Sequence, residues 1–388
     1  MQRSYQLMRR LAAGGMGEVF VARAGDGPEV ALKLLLPHLA SSPELVERFH
    51  AEATLAARMR HPNIVEIFEV GELSGRPFIA MQLVEGPTLA RLTHAVWSRG
   101  DRMPLPIVRF LAAGLCDALA FAHELTDEEG HALKVVHRDV TPGNLLVSRG
   151  GAVLLSDFGI ARVGEGTNTA AGALVGKAAW VAPEQVLHDA RVDARADLYS
   201  AGLVLFEALT GTNPFRRESV DATLKAVQAG ELPPVERLRD DVTPGLANGL
   251  HRALARRVVE RIATARELKA ELLDGPVASQ AEFAAFVGRF VPPTAAVVDP
   301  GGTRSVVIDR PTRAEPRGNL VEMEGASARD RVGQKGPSVP ELPTLEGPPE
   351  PGMRSVIMKR PSPPRRGGVI LGIAVLLVIA LVGAWLAS

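Results

Sequence analysis

Two hydrophobic patterns, in a fixed order along the chain, constrain its fold most strongly. Roughly the first eighty residues contain short apolar runs typical of β-strands, EVFVAR, EVALKLL, NIVEIFEVGEL and PFIAMQLV. One helical stretch, PELVERFHAEATLAARMR, lies among them, and longer helical patterns dominate the rest of the chain. Because the β-rich part and the helical part are separate in the sequence, we predict an α+β protein with a small β-rich lobe and a larger helical lobe.

The globular pattern ends near residue 290. Fourteen of the chain's 29 prolines fall between Val291 and Arg366, where long apolar periodicity disappears. We therefore predict a globular domain at 1–290 and a disordered, Pro-rich linker at 291–366. Within it, TRSVVIDRP (Thr303–Pro311) recurs approximately as MRSVIMKRP (Met353–Pro361). Chance similarity and a docking or phosphorylation motif used twice both remain open.

The C-terminal residues 367–388 are predicted to form one transmembrane helix. Val369–Ser388 reads VILGIAVLLVIALVGAWLAS and carries no charge, which is about the roughly 20 residues that a helix needs to cross a bilayer. Four basic residues stand just before it: Lys359, Arg360, Arg365 and Arg366. Basic flanks stay on the cytoplasmic side. We expect a single-pass protein of the cell membrane, with the lipid bilayer as a partner and the globular domain in the cytoplasm.

Charge and cysteine content exclude some classes of partner and compartment. Lys+Arg and Asp+Glu both number 44, so the net charge gives no indication of a nucleic-acid partner, and we predict none. The single cysteine, Cys116, excludes an intrachain disulfide and suits a reducing compartment. It lies in the apolar run IVRFLAAGLCDALAFAH, which predicts a buried helical thiol.

A glycine-rich segment and a lysine on the following strand indicate a nucleotide. Glycines in LAAGGMGEVF (Leu11–Phe20) let backbone N–H groups approach phosphates, although an ordinary hairpin turn would read the same way. VALK places Lys33 on the next strand, where a cation can hold phosphates. A helix that contains Glu52 and then RHPNIV follow in order.

Acidic residues in the second part of the chain indicate phosphoryl transfer. HRDVTPGN contains Asp139 and, five residues later, Asn144. This is the spacing of the catalytic base and the metal ligand in a known phosphoryl-transfer motif. SDFGIAR places Asp157 at the end of a strand, where a carboxylate suits a hard cation such as Mg²⁺. VAPEQ supplies Glu184, and we expect Glu184 and Arg261 to form a buried ion pair.

Together, these motifs resemble a eukaryotic-like bacterial Ser/Thr protein kinase with a C-terminal transmembrane helix. They run through APEQ, DLYSAG, LTGTNPF and ERIATARELK in family order, from about Tyr5 to Leu273. The resemblance implies a bilobal protein-kinase fold, with an N-lobe at about 5–84 and a C-lobe at about 85–290. It also implies ATP and Mg²⁺ (with Mn²⁺ as an alternative), protein substrates, and transfer of the γ-phosphate to Ser and Thr hydroxyls in signal transduction.

The resemblance assigns roles to individual residues. Lys33 would hold the α/β-phosphates and pair with Glu52, Asn144 and Asp157 would bind Mg²⁺, and Asp139 would accept the substrate proton. Val19, Ala31 and Leu146 would enclose adenine. The gatekeeper would be Met81 and the hinge Gln82 to Val84. The nucleotide loop would comprise Ala12, Ala13, Gly14, Gly15, Met16 and Gly17.

Three residues depart from the family pattern. Ala12 replaces the first glycine of the nucleotide loop, Thr141 stands where the family has Lys, and Lys177 stands where it has Thr. One hypothesis is a functional exchange, with Lys177 reaching the catalytic centre and Thr141 donating a hydrogen bond to Asp139. In the alternative, Thr141 is merely tolerated and Lys177 is a surface charge that contacts substrate.

Two classes of function remain. The intact set of Lys33, Glu52, Asp139, Asn144 and Asp157 favours an active kinase over a pseudokinase scaffold. The APE and LTG segments disfavour a kinase of small molecules. Activating autophosphorylation is expected at one or both of Thr167 and Thr169. Ser305 and Ser355 in the repeats are expected to be autophosphorylated or to dock a shared partner. Since an extended linker can reach a neighbouring cleft, self-association for trans-autophosphorylation is a partner hypothesis.

Overall fold

The computed structural model describes residues 5–158, 176–187 and 192–292, and Glu52 by its backbone alone. These residues form a β-rich N-terminal lobe and a helical C-terminal lobe, which confirms the predicted two-lobed architecture. The predicted linker beyond Pro292, the predicted transmembrane helix, and Thr167 and Thr169 lie outside the described residues.

The N-terminal lobe is a five-stranded antiparallel sheet with one long helix. The strands are β1 Tyr5–Ala13, β2 Gly17–Ala24, β3 Glu29–Leu35, β4 Ile67–Leu73 and β5 Arg76–Met81, in the order β1-β2-β3-β5-β4. The helices are α1 Pro37–Ala40 and α2 Pro43–Ala56. Strand β1 was not among the predicted strands, and α2 ends before its predicted end at Arg60.

Strand register separates the sheet into two faces with different tasks. Leu32, Leu34 and Phe78 point to one side, where they form a buried apolar cluster. Lys33 alternates with Leu32 and Leu34 and lies opposite Val19 on β2, so both project from the other face. The register of β3 therefore points Lys33 away from the apolar cluster.

The C-terminal lobe is built around two buried helices. Its helices are α3 Leu89–Trp97, α4 Leu105–His123, α5 Pro183–Val186, α6 Arg195–Thr210, α7 Val220–Ala229, α8 Val235–Leu238, α9 Pro244–Ala253, α10 Ala265–Leu272 and α11 Gln280–Phe290. A short antiparallel hairpin joins β6 Leu145–Val147 to β7 Val153–Leu155, and Ala178–Trp180 forms a 3₁₀ turn. Helices α4 and α6 supply most of the apolar core.

Among the described residues, one helix has the length and composition to cross a membrane. This is α4, with a mean hydropathy of 1.7 and 67% of that window buried, and its apolar side chains belong to the core of the lobe. Cys116 lies on α4 and is fully buried, as predicted. Burial raises the pKa of its thiol to about 12, so the reactive thiolate is suppressed at neutral pH.

The predicted ion pair between Glu184 and Arg261 is also confirmed. The two Arg261 Nη atoms donate to the two Glu184 carboxylate oxygens at 2.7 and 2.8 Å, and both side chains are buried. The guanidinium also lies 4.6 Å from the centroid of the Tyr199 ring on α6. This pair joins α5 to the core of the C-terminal lobe, close in sequence to the 3₁₀ turn.

Candidate active site

The β6–β7 hairpin brings two predicted metal ligands together. Asn144 directly precedes β6, and Ser156 and Asp157 directly follow β7, so the antiparallel register makes them neighbours. Ser156 N and Oγ both donate to the carbonyl oxygen of Asn144, at 2.9 and 3.0 Å. The hairpin therefore fixes Asn144 and Asp157 side by side at one end of the sheet.

Asp157 forms an ion pair with Lys33 across the two lobes. The distance from Lys33 Nζ to Asp157 Oδ1 is 2.5 Å. Burial alone would raise the pKa of the Asp157 carboxyl, but the charge and the hydrogen bond of Lys33, with smaller electrostatic contributions from Lys177 and His137, keep it below its usual value. Asp157 also has a φ of 61°, a left-handed conformation that is uncommon for a residue with a side chain.

Two side chains hold Asp139 in place through one of its two carboxylate oxygens. Asn144 Nδ2 donates to Asp139 Oδ2 at 2.8 Å, and Lys177 Nζ donates to the same oxygen at 2.5 Å. Asn144 Nδ2 also reaches the Asp139 carbonyl at 2.8 Å. Within the described residues no hydrogen bond reaches Asp139 Oδ1. That oxygen is therefore the one available to a substrate hydroxyl.

The Thr141 half of the exchange hypothesis is not met in the structure. Thr141 is buried, but among the described residues its hydroxyl makes no hydrogen bond to Asp139. The side-chain hydrogen bonds that Asp139 accepts come from Lys177 and Asn144 instead, both at Oδ2. The backbone of Thr141 does take part, since its carbonyl accepts from Asn144 N at 3.0 Å.

A buried carboxylate that was not among the predicted site residues supports the loop around Asp139. Asp197, on α6, is fully buried and accepts from the backbone N–H groups of His137 and Arg138, both at 2.7 Å. Its Oδ2 also lies 2.8 Å from His123 Nε2 on α4. Arg138 has a φ of 65°, and these bonds hold that strained backbone next to Asp139.

A sequence signal for Asp197 did exist. It lies at the start of a strongly apolar helix, where a buried charge must find partners.

The glycines of the nucleotide loop differ in what the fold requires of them. The amide of Gly14 donates to the Gly17 carbonyl at 2.9 Å and closes the turn between β1 and β2. A Cβ on Gly17 would lie 2.5 Å from the carbonyl oxygen of Leu34, so the fold itself requires this glycine. A Cβ on Gly15 would meet nothing within 4 Å. The space beside Gly15 is therefore open to a ligand.

The remaining residues of this loop belong to ordered backbone. Ala12 and Ala13 end β1 and pair with β2, so the departure at Ala12 falls inside a strand. The Met16 carbonyl accepts from Leu36 N at 3.0 Å, which ties the loop to the end of β3. A side chain at position 12 is thus compatible with a regular hairpin.

The predicted adenine-binding residues come from both lobes. In the N-terminal lobe, Ala31 on β3 pairs with Met81 on β5. In the C-terminal lobe, Leu146 lies on β6 and is half-buried. Gln82 and Val84 follow β5 in the segment that connects the lobes, where Gln82 N donates to the Glu66 carbonyl at 2.8 Å. Glu52 lies on α2, and its pairing with Lys33 remains a prediction.

The donor set of the site fits Mg²⁺. Asn144 bonds to Asp139 through its side-chain nitrogen, and Asp157 bonds to Lys33 through Oδ1. Within the described residues, no hydrogen bond reaches the other side-chain oxygens, Asn144 Oδ1 and Asp157 Oδ2. Neutral and anionic oxygens are the ligands that this hard cation prefers. Asn144 and Asp157 are therefore suited to hold it.

Comparison with known proteins agrees with this geometry. Residues 5–268 match the family described as Protein kinase domain. The chain belongs to the protein kinase family. The kinase is also similar to solved kinase domains. It has a TM-score of 0.53 and 29% sequence identity to the PknI kinase domain of Mycobacterium tuberculosis, over 70% of this chain and 96% of that one.

Three curated relatives carry names of protein kinases. The kinase is 41% identical over 266 residues to Tyrosine-protein kinase MasK of Myxococcus xanthus (strain DK1622), covering 67% of this chain and 41% of that protein. It is 34% identical over 387 residues to Serine/threonine-protein kinase Pkn1 of Myxococcus xanthus, covering 95% and 53%. It is 38% identical over 278 residues to Serine/threonine-protein kinase PknB of Mycolicibacterium smegmatis, covering 69% and 42%. The chain spans about half the length of these relatives.

Proposed function

We propose that this kinase transfers the γ-phosphate of Mg·ATP to Ser and Thr hydroxyls of proteins, its own included. The observation that carries the proposal is the arrangement around Asp139. Its Oδ2 is held by Asn144 and Lys177, its Oδ1 is open, and the Lys33–Asp157 pair lies in the same site. A pseudokinase scaffold would have no need to keep these groups in one site, and the relatives Pkn1 and PknB are named as Ser/Thr kinases.

Each residue has a task in the transfer. Asp139 Oδ1 accepts the proton of the attacking hydroxyl, whose oxygen forms a bond to the γ-phosphorus as the bond from that phosphorus to the bridging oxygen of ADP breaks. Lys33 holds the non-transferred phosphates in place. When bound by Asn144 and Asp157, Mg²⁺ supplies positive charge to the phosphate oxygens. Catalysis is thus mainly positioning and charge compensation.

The acceptor residue can be argued from the chain's own tyrosines. The sequence contains two, Tyr5 and Tyr199, and their exposures are 7% and 0%. Neither can enter an active site without unfolding, so we expect autophosphorylation at Ser and Thr. The name of the relative MasK makes tyrosine in other proteins the second candidate acceptor.

We also propose that the kinase is anchored in a membrane through its C-terminal segment. The support for this proposal is the uncharged sequence Val369–Ser388 behind a basic flank. The full chain is expected to sediment with membranes and to resist extraction with alkaline carbonate, whereas a chain ending at residue 366 should stay in the supernatant. Equal behaviour of the two chains would remove the anchor from the proposal.

The kinase activity is tested with the purified full chain and radiolabelled ATP. We expect label on the kinase and on a generic protein acceptor, with phosphoserine and phosphothreonine after acid hydrolysis. Mapping of the labelled sites would show whether Thr167, Thr169, Ser305 and Ser355 are among them. Addition of EDTA should stop the reaction, because Mg²⁺ is then removed.

The controls are variants of Lys33, which is proposed to hold the phosphates, and of Asp139, which is proposed to accept the proton. Lys33→Met and Asp139→Asn should each lower the rate by about 10²-fold or more, since each removes a charged group at the reacting phosphate or hydroxyl. Label that persists at the wild-type rate in both variants would come from a contaminating kinase. Absence of label in the wild-type chain with Mg²⁺ or Mn²⁺, while ATP still binds, would favour the pseudokinase.

A further inference from the structure

The catalytic centre contains a second ammonium group besides that of Lys33. Lys177 Nζ lies 2.5 Å from Asp139 Oδ2, although the two residues are far apart in sequence. Its side chain is 44% exposed, whereas that of Asp139 is 11% exposed. A half-exposed lysine is therefore directed onto the carboxylate that accepts the substrate proton.

The backbone that carries Lys177 is fixed by the C-terminal lobe. The 3₁₀ turn Ala178–Trp180 begins at the next residue and is buried. Asn213 Nδ2 donates to the Ala179 carbonyl at 3.1 Å, and Ser200 Oγ donates to the Trp180 carbonyl at 2.7 Å. The Trp180 indole donates to Glu207 Oε2 at 3.0 Å. These hydrogen bonds fix the backbone next to Lys177, so the place from which its side chain extends is set by the fold.

A further bond couples this segment to the loop of Asp139. Gln185 Nε2, on α5, donates to the Arg138 carbonyl at 3.2 Å. The segment with Lys177 and the loop with Asp139 are therefore joined at two places, by this bond and by the ion pair. The ammonium approaches the carboxylate from a segment that packs beside the catalytic loop.

The geometry also separates the two oxygens of Asp139. Lys177 and Asn144 both use Oδ2, so Oδ1 keeps its lone pairs for the acceptor hydroxyl. The phosphoryl group must pass to that hydroxyl oxygen, which lies next to the same carboxylate. An ammonium held on Oδ2 is then adjacent to the path of the transferred group, where negative charge must be balanced.

We propose that Lys177 is a catalytic residue whose ammonium group, anchored on Asp139, binds the γ-phosphoryl group of ATP during its transfer to the acceptor hydroxyl. This inference rests on the proposed kinase function. Lys177 stays protonated throughout, because the hydroxyl proton goes to Asp139 Oδ1. Its charge acts more strongly on the transition state than on bound ATP, and such an interaction raises kcat with little effect on KM.

The competing role for Lys177 is recognition of an acidic residue in the substrate. The two roles differ in a measurable way, because recognition of a peptide affects its KM and has no influence when water is the acceptor. Slow hydrolysis of ATP in the absence of a protein acceptor is therefore the decisive readout, since the γ-phosphoryl group is transferred there without a peptide.

The first experiment compares Lys177→Met, Lys177→Arg and the control Lys269→Met in the full chain. Lys269 forms a similar ion pair with Asp117, at 2.7 Å, on the surface between α10 and α4. We expect Lys177→Met to lower kcat and the rate of ATP hydrolysis about 10–100-fold, with KM for ATP and peptide changed less than about threefold. Lys177→Arg should recover part of the rate, and Lys269→Met should keep the wild-type rate.

The second experiment tests whether the charge can be supplied from position 141. Thr141→Lys alone would place a second cation beside Asp139 and is expected to lower kcat. The double variant Thr141→Lys/Lys177→Thr should be at least about tenfold faster than the product of the two single effects, because residues that act on one group couple non-additively. Circular dichroism and thermal unfolding would show whether the buried Thr141 position accepts lysine.

Different outcomes separate this inference from the proposed function. If the wild-type chain transfers phosphate and Lys177→Met keeps its ATP hydrolysis but raises KM for an acidic peptide, Lys177 is a specificity residue and the inference is wrong. If the wild-type chain transfers no phosphate at all, the proposed function itself fails. The single Lys177 variants decide the question even where Thr141→Lys does not fold.

Discussion

Replacement of Arg261 by Met is expected to lower the free energy of unfolding of the kinase domain by about 3–5 kcal/mol. Arg261 has no exposed side-chain surface, and Glu184 would remain as a buried carboxylate without its cation. The guanidinium also donates to the backbone carbonyls of Ala255 and Arg256, at 2.7 and 3.2 Å, which would lose these donors. Thermal and urea unfolding of the full chain measure the loss.

A matched surface pair provides the control. Arg266 and Glu124 form a bidentate pair with distances of 2.6 Å, but both side chains are largely exposed. Because water solvates either partner alone, Arg266→Met should leave the unfolding transition nearly unchanged. An equal loss in the two variants would show that burial of Arg261 is not what makes its pair important.

A double variant separates the pair from the packing around it. In Glu184→Leu/Arg261→Met no unpaired charge is buried, so we expect it to be at least as stable as Arg261→Met alone. A double variant that loses the sum of both single effects would mean that the carboxylate finds another partner when Arg261 is absent. In that case the pair would not be the main connection between α5 and the core.

The sequence predicts the lobes well because their hydrophobic periods differ. Strand β1 was missed for a physical reason. It is an edge strand with register shifts between Leu7 and Arg9 and between Arg10 and Ala12, and most of its residues are partly or fully exposed. Bulges and an exposed face remove the regular alternation from which a strand is recognised. No local pattern of residues 5–13 marks it as a strand.

Within the site, motifs identify the charged groups but not their pairings. Asp139, Asn144 and Asp157 follow from local sequence, since each stands at a fixed offset in a short motif. The contact of Lys177 with Asp139 joins segments that only tertiary packing brings together. The structure shows that contact, and among the described residues it shows no hydrogen bond from the Thr141 hydroxyl to Asp139, so the functional exchange stays a prediction. The kinetics of the Lys177 variants would show whether this residue acts in catalysis.

Asp197→Asn is expected to lower kcat by about 10²-fold while the domain still folds. The carboxylate accepts from two backbone N–H groups and from His123, and the amide has only one accepting oxygen. Its NH₂ group would face a donor, which would release the strained Arg138 backbone and displace Asp139. A shift of about 1 Å at the proposed catalytic base is enough for such a loss.

The larger change, Asp197→Ala, is expected to affect stability as well as activity. All of the donors around Asp197 would be left in the interior without an acceptor, and each such group costs about 1–3 kcal/mol. We therefore expect a loss of at least about 3 kcal/mol in the free energy of unfolding, in addition to the loss of activity. Urea unfolding and kcat at saturating ATP measure the two effects.

Asp221→Asn is the matched control for these variants. Asp221 lies on α7 with 76% of its side chain exposed and pairs only with Lys225 among the described residues, so its amide should keep both the stability and the kcat of the wild-type chain. The order of effects is the decisive result for Asp197. If the Asp197→Asn domain lost as much stability as the Asp197→Ala domain but kept the wild-type kcat, the Asp197 carboxylate would serve only the packing of α6. A low kcat in a well-folded Asp197→Asn domain would show instead that the buried charge positions Asp139 through the backbone of His137 and Arg138.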